Sequence, residues 1–172
     1  MVPVLRFVLI AAFASLMRDA TAQPLAPDIV VTKVIDAPVA EVWKAWTTPE
    51  GIESFFAPKA AKVVPEPGGA FDLLFGLDHP EGQRGSEGCM FHSVVPMRQL
   101  VFEWNAPPTI PTIRKLRTLV YLDFSEVDGN RTSLTLRNFG YGQGEEWAKT
   151  KAYFERACPA VMASLEKRFA KP

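Results

Sequence analysis

At 172 residues with 48% hydrophobic and 11% aromatic side chains, the chain is long enough to bury a sizeable core and too apolar to be disordered. Its 19 basic and 19 acidic residues cancel, and no basic run breaks the balance, which argues against nucleic acid or an anionic membrane surface as a partner.

The first residues do not read as part of a domain. After Arg6 comes Phe7 to Met17, apolar but for Ser15, and Ala20-Thr21-Ala22 follows the small-residue rule of signal-peptide cleavage. The apolar run is shorter than the ~20 residues a membrane-spanning helix needs. Residues 1–22 are therefore expected to be a removed signal peptide, 23–28 a leader and 29–172 one domain. An exported chain of this kind would reside in the periplasm or be secreted, with no membrane span of its own. Arg6, Arg18 and Asp19 leave with the signal, so the remainder keeps 17 basic and 18 acidic residues.

Ile29 to Ile35 is β-branched and alternating, a first strand. Asp36-Ala37-Pro38 starts a helix, with Val39, Val42, Trp43 and Trp46 on one face, and both tryptophans are expected in the core. Thr48-Pro49 opens a second short helix ending at Phe55 and Phe56. Ala60 to Val64 and Ala70 to Phe75 read as strands joined at Glu66-Pro67-Gly68-Gly69, and Phe71, Leu73 and Phe75 mark the inner face. Leu77 to Gly85 is a polar loop in which His79 is expected to be solvated. Ser86 to Val95 is the next strand, broken by Pro96, and Leu100 to Asn105 follows with Leu100, Phe102 and Trp104 pointing inward.

Pro107, Pro108 and Pro111 stiffen the next connection. Arg114 to Val127 and Arg131 to Phe139 then form the clearest hairpin, turning at Asp128-Gly129-Asn130. Val120, Leu122 and Phe124 face Leu134 and Leu136, and period two carries that face on to Asn138. A buried amide there needs hydrogen-bond partners, so Asn138 is a candidate either for orienting a ligand or for capping the structure. The glycine run Gly140 to Gly144 leads into a helix from Glu145 to Phe169. Its apolar stripe is Trp147, Thr150, Phe154, Cys158, Val161, Met162, Leu165 and Phe169. Glu145 and Glu146 at one end and Lys167 and Arg168 at the other suit the helix dipole. Pro159 interrupts the hydrogen-bond ladder, so a kink is expected, either following a curved sheet or opening space beside Cys158.

The order is α+β: a strand, two short helices, six antiparallel strands and one long helix. Motifs for zinc proteases, redox dithiols, nucleophile elbows and phosphate loops are absent. The glycine run is read as a turn rather than a dinucleotide loop, because no parallel strand follows it. Two histidines do not make a metal site, and no metal or cofactor is expected. His92 is the one candidate acid–base residue, provided Met90, His92 and Val94 face inward. Cys89 and Cys158 could be bridged in an exported protein, but separate buried thiols are the expected state.

Taken together, Ala37-Pro38, Val42-Trp43, Ala45-Trp46-Thr47 and Pro49-Glu50 resemble the opening helix of proteins homologous to the activator of the heat-shock chaperone ATPase. These belong to the SRPBCC, or START-like, superfamily. Gly68-Gly69, Phe71, then Leu100-Val101-Phe102 with Trp104, then Thr132, Leu134, Leu136 and Gly140 continue the resemblance in order, from Ile29 to Phe169. The resemblance implies a helix-grip fold, a curved antiparallel sheet of about seven strands around the long C-terminal helix. It also implies a hydrophobic cavity between them. Two departures stand out: Asn138 falls where the family often has histidine, and Ala157-Cys158 where it often has tryptophan.

The superfamily includes carriers of apolar ligands, cyclases and chaperone-binding domains, so the fold alone does not choose among them. The expected function is an exported binding protein for a small apolar molecule, held by Phe55, Phe56, Trp104, Asn138, Phe154 and Cys158. One alternative is an enzyme of the polyketide-cyclase or aromatase kind using His92 with a carboxylate or a tyrosine such as Tyr121. Another is a non-catalytic interaction or chaperone-accessory module using the aromatic N-terminal helices. An exported chain would not meet a cytosolic ATP-driven chaperone, so the family name is not taken as its activity.

Overall fold

The computed structural model describes residues 29–170; the expected signal peptide (1–22) and leader (23–28) lie outside the described residues. The centre of the sheet is the hairpin of β6 (Arg117–Glu126) and β7 (Thr132–Phe139). β1 (Ile29–Ile35) pairs with β7, while β5 (Gln99–Asn105) and then β4 (Phe91–Val95) extend the other side. All these pairings are antiparallel. Registers align Leu100 with Leu122 and Leu136, and Phe102 with Val120 and Asn138, so the period-two inner faces merge into one surface.

β2 (Ala60–Val63) and β3 (Phe71–Leu74) form a separate two-stranded pair. It is tied to β4 by the Ala70–Met90 bridge and by the Phe91 amide, which donates to the Gly69 carbonyl at 2.9 Å. The seven expected strands are therefore present, divided five and two. Two strand boundaries differ from expectation. Residues 86–90 turn rather than extend, because the Ser86 hydroxyl donates to the Phe71 carbonyl and accepts from the Leu73 amide, both at 2.8 Å. Glycine is required beside it: a Cβ at Gly85 would lie 1.8 Å from the Leu73 carbonyl oxygen. Pro111–Arg114 is a one-turn helix, α3, that delays β6 to Arg117, with Pro111 in the first turn where its missing N–H costs little.

α1 (Val39–Thr47) and α2 (Pro49–Phe56) meet at Thr48, whose hydroxyl accepts the Gly51 amide at 3.0 Å as an N-cap. Trp46 is fully buried, whereas Trp43 sits at the core margin with its ring edge-on to Phe124 at 5.2 Å. Gly140 and Gly144, at φ of +90° and +105°, turn the chain from β7 into α4 (Glu145–Phe169). α4 lies against β1 and α2 and buries Thr150, Phe154, Cys158, Met162 and Leu165. The helix continues through Pro159, which faces solvent, so the Glu155 carbonyl it cannot bond lies on the side open to water. Cys89 and Cys158 are both buried and unbridged.

Candidate functional site

The sheet and α4 do not close completely on each other. A cavity of about 620 Å³ lies between them, bounded by α1 and α2 at one side and by the loop between β3 and β4 at the other. The sheet supplies Phe102, Trp104, Val120 and Leu136, and α4 supplies Phe154, Ala157, Cys158 and Val161. Trp46 and Phe56 complete the apolar wall, with the Phe56 ring stacked on Trp104 at 5.4 Å. Trp46 Nε1 is buried without a hydrogen-bond acceptor among the described residues.

Four of the six expected ligand residues line this space: Phe56, Trp104, Phe154 and Cys158. Phe55 does not, because α2 turns it behind the wall, edge-on to Trp46 at 5.0 Å. Asn138 does not either. Its Nδ2 donates to Thr118 Oγ1 at 3.2 Å and to the Leu119 carbonyl at 3.1 Å, and its Oδ1 accepts the Tyr141 hydroxyl. Those bonds occupy both ends of the amide, so Asn138 is the structural cap of the two roles considered for it.

His92 points the other way. It lies at a β-bulge in β4, its side chain is 47% exposed, and its Nε2 is 3.0 Å from Glu103 Oε1 on the outer sheet surface. The bulge explains why alternation failed to orient it. Tyr121 alternates with the buried Val120 and Leu122 and so shares that outer face. Neither residue borders the cavity, so the arrangement of His92 with Tyr121 as an internal acid–base pair does not occur.

The polar side of the cavity was not legible in the sequence. Asp78, His79, Gln83, Arg84 and Gly85 from the β3–β4 loop line it, together with Asn105 and Arg114. Arg114 holds this loop in place: Nε donates to the Gly82 carbonyl at 2.5 Å, Nη2 to Gly85 at 2.5 Å and Nη1 to Ala106 at 2.6 Å. It is only 8% exposed, and burial pulls its pKa down although Glu87, 3.5 Å away, opposes this. Burial pushes the Glu87 carboxyl up, but the Arg84 and Gly82 amides and the arginine charges outweigh it and hold the group below its ordinary value.

Cys158 contributes bulk rather than reactivity, since burial pushes its thiol up to about 12. Among the described residues no group of three or more His, Cys, Asp or Glu could hold a metal ion, and no helix is long and apolar enough to cross a membrane.

Residues 36–170 match the family described as Activator of Hsp90 ATPase homolog 1-like protein. The chain belongs to this family. Solved structures with the same fold include protein MLL2253 from Mesorhizobium loti, at 21% identity and a TM-score of 0.64 over 83% of this chain and 96% of that one. A protein from Arthrobacter aurescens matches with 18% identity and a TM-score of 0.64 over 88% and 94% of the two chains. The Aha1 dimer from Colwellia psychrerythraea matches with 13% identity and a TM-score of 0.60 over 84% and 96%. No curated protein matches the sequence significantly. At these identities the structural likeness establishes the helix-grip fold alone. The two positions singled out in the sequence as departing from the resemblance separate spatially. Asn138 is sealed in the sheet, whereas Ala157 and Cys158 border the cavity.

Proposed function

We propose that the chain is an exported binding protein that holds a small hydrophobic molecule between its sheet and α4. The supporting observation is the cavity of about 620 Å³ walled by Trp46, Phe56, Phe102, Trp104 and Phe154. That volume falls within the roughly 300–1,000 Å³ of small-molecule sites, and mostly apolar walls with a few polar groups are their usual make-up. Small side chains at Ala157 and Cys158 keep the space open from the helix side. Export is proposed from the N-terminal pattern described above.

The test is native mass spectrometry of protein purified from its own compartment, followed by solvent extraction. A bound apolar molecule, displaceable by the neutral dye phenylnaphthylamine, is the expected result. A protein that carries nothing and does not take up the dye would end this reading. A mature N-terminus at Gln23 is expected, and an unprocessed cytoplasmic chain would remove the export half of the proposal.

A further inference from the structure

The cavity is two-sided, and the polar side is unevenly committed. Of the two arginines that border it, Arg114 is consumed by three backbone carbonyls and Glu87. Arg84 is not. Its Nε donates to the His79 carbonyl at 2.9 Å; its Nη groups have no hydrogen-bond or ion-pair partner within bonding distance among the described residues, and Glu87, which feels its charge, bonds its backbone amide rather than its guanidinium. Arg84 is half-buried and borders the cavity beside its apolar wall. Asp78, the one carboxylate among the described residues that borders the cavity, is exposed and does not pair with it. An arginine fork with free donors at the rim of an aromatic cavity is complementary to a planar oxyanion on an apolar body.

We infer that the ligand is an amphiphile with a carboxylate-type anionic head, held by the Arg84 guanidinium while its apolar body lies against Phe56, Trp104 and Phe154. This rests on the cavity being a ligand site and adds the chemical class it selects. Arg114 has a different part: it fixes the loop on which Arg84 stands.

Decanoate, decanol and decyltrimethylammonium share an alkyl chain and differ in head charge. Titrated calorimetrically into the mature protein, decanoate should bind about tenfold more tightly than decanol, the scale of one charge-assisted hydrogen-bonded contact. The advantage should shrink as salt rises. Arg84→Gln should abolish the preference for decanoate over decanol, and Arg84→Lys should restore part of it. Equal affinity for decanoate and decanol would overturn the inference and leave the binding-protein reading standing. Preference for the ammonium compound would overturn it in favour of Asp78. If none of the three binds and the neutral dye is also refused, both readings fall together.

Discussion

The Tyr141 hydroxyl donates to Oδ1 of Asn138, and both side chains are completely buried (0% exposed). The same amide reaches Thr118 and Leu119 on β6, so one side chain ties the exit of β7 to its neighbouring strand and to the turn before α4. Tyr141→Phe would remove the hydroxyl partner of a buried carbonyl oxygen, at a cost of about 1–3 kcal/mol. Urea denaturation should show that loss. Because neither residue borders the cavity, ligand affinity measured on the folded variant should not change; a changed affinity would restore Asn138 as a binding group.

Ala157 offers the opposite dissociation. Its methyl group borders the cavity on α4, one residue before Cys158. Ala157→Trp should fill the space and abolish uptake of phenylnaphthylamine, while the circular dichroism of the fold is retained. Undiminished uptake by this variant would place the binding site elsewhere.

Arg114 is the anchor of the β3–β4 loop, so its loss should act through structure. Arg114→Met would strand three carbonyls and leave Glu87 without its arginine, which should destabilise the protein by about 3 kcal/mol or more. Faster amide hydrogen exchange should be concentrated between Gly76 and Gly88.

The Glu87 carboxyl is held below its ordinary value of 4.5 by the Arg84 and Gly82 amides and by Arg114, against the opposing effect of burial. A depressed carboxylate contributes stability that is present above 4.5 and lost as pH falls through the lower folded-state value. Glu87→Gln should therefore be less stable than the parent at pH ~7, and the gap should close on acidification. Parallel stability profiles for the two proteins down to acid would show that Glu87 is not coupled to folding.

The two thiols have the reverse dependence. Burial raises Cys89 and Cys158 from 9.0 to about 12, so their contribution is complete below 9.0 and lost as pH rises toward 12. Cys89→Ala should reduce the alkaline part of the stability loss. In the native protein both thiols should be silent to Ellman's reagent at pH ~8, and both should react in urea. Rapid native reaction at either position would contradict the burial.

Periodicity made the core legible. Leu122, Leu134, Leu136, Phe154, Met162 and Leu165 were placed correctly because a pleat has period two and a helix 3.6, and one apolar face has to be covered. The cavity's apolar wall followed in part, as Phe56, Trp104, Phe154 and Cys158 are aromatic or small residues on those same faces. His92 was not legible, since a bulge breaks the alternation that would have oriented it. Arg84 and Arg114 were not legible either. They act from the β3–β4 loop and from a single helical turn, where no period exists to say what a side chain meets.

The sequence by itself determined the α+β order, the inner faces of the strands without a bulge, the long amphipathic helix and the family, because these are written in local spacing and residue type. Only the tertiary structure decided that Asn138 is sealed by Tyr141 while Ala157 and Cys158 border open space. It also decided that Arg114 is spent on three backbone carbonyls while Arg84 bonds one. Those outcomes depend on the distance between segments far apart in the chain, and that distance is set by packing of the whole sheet against α4.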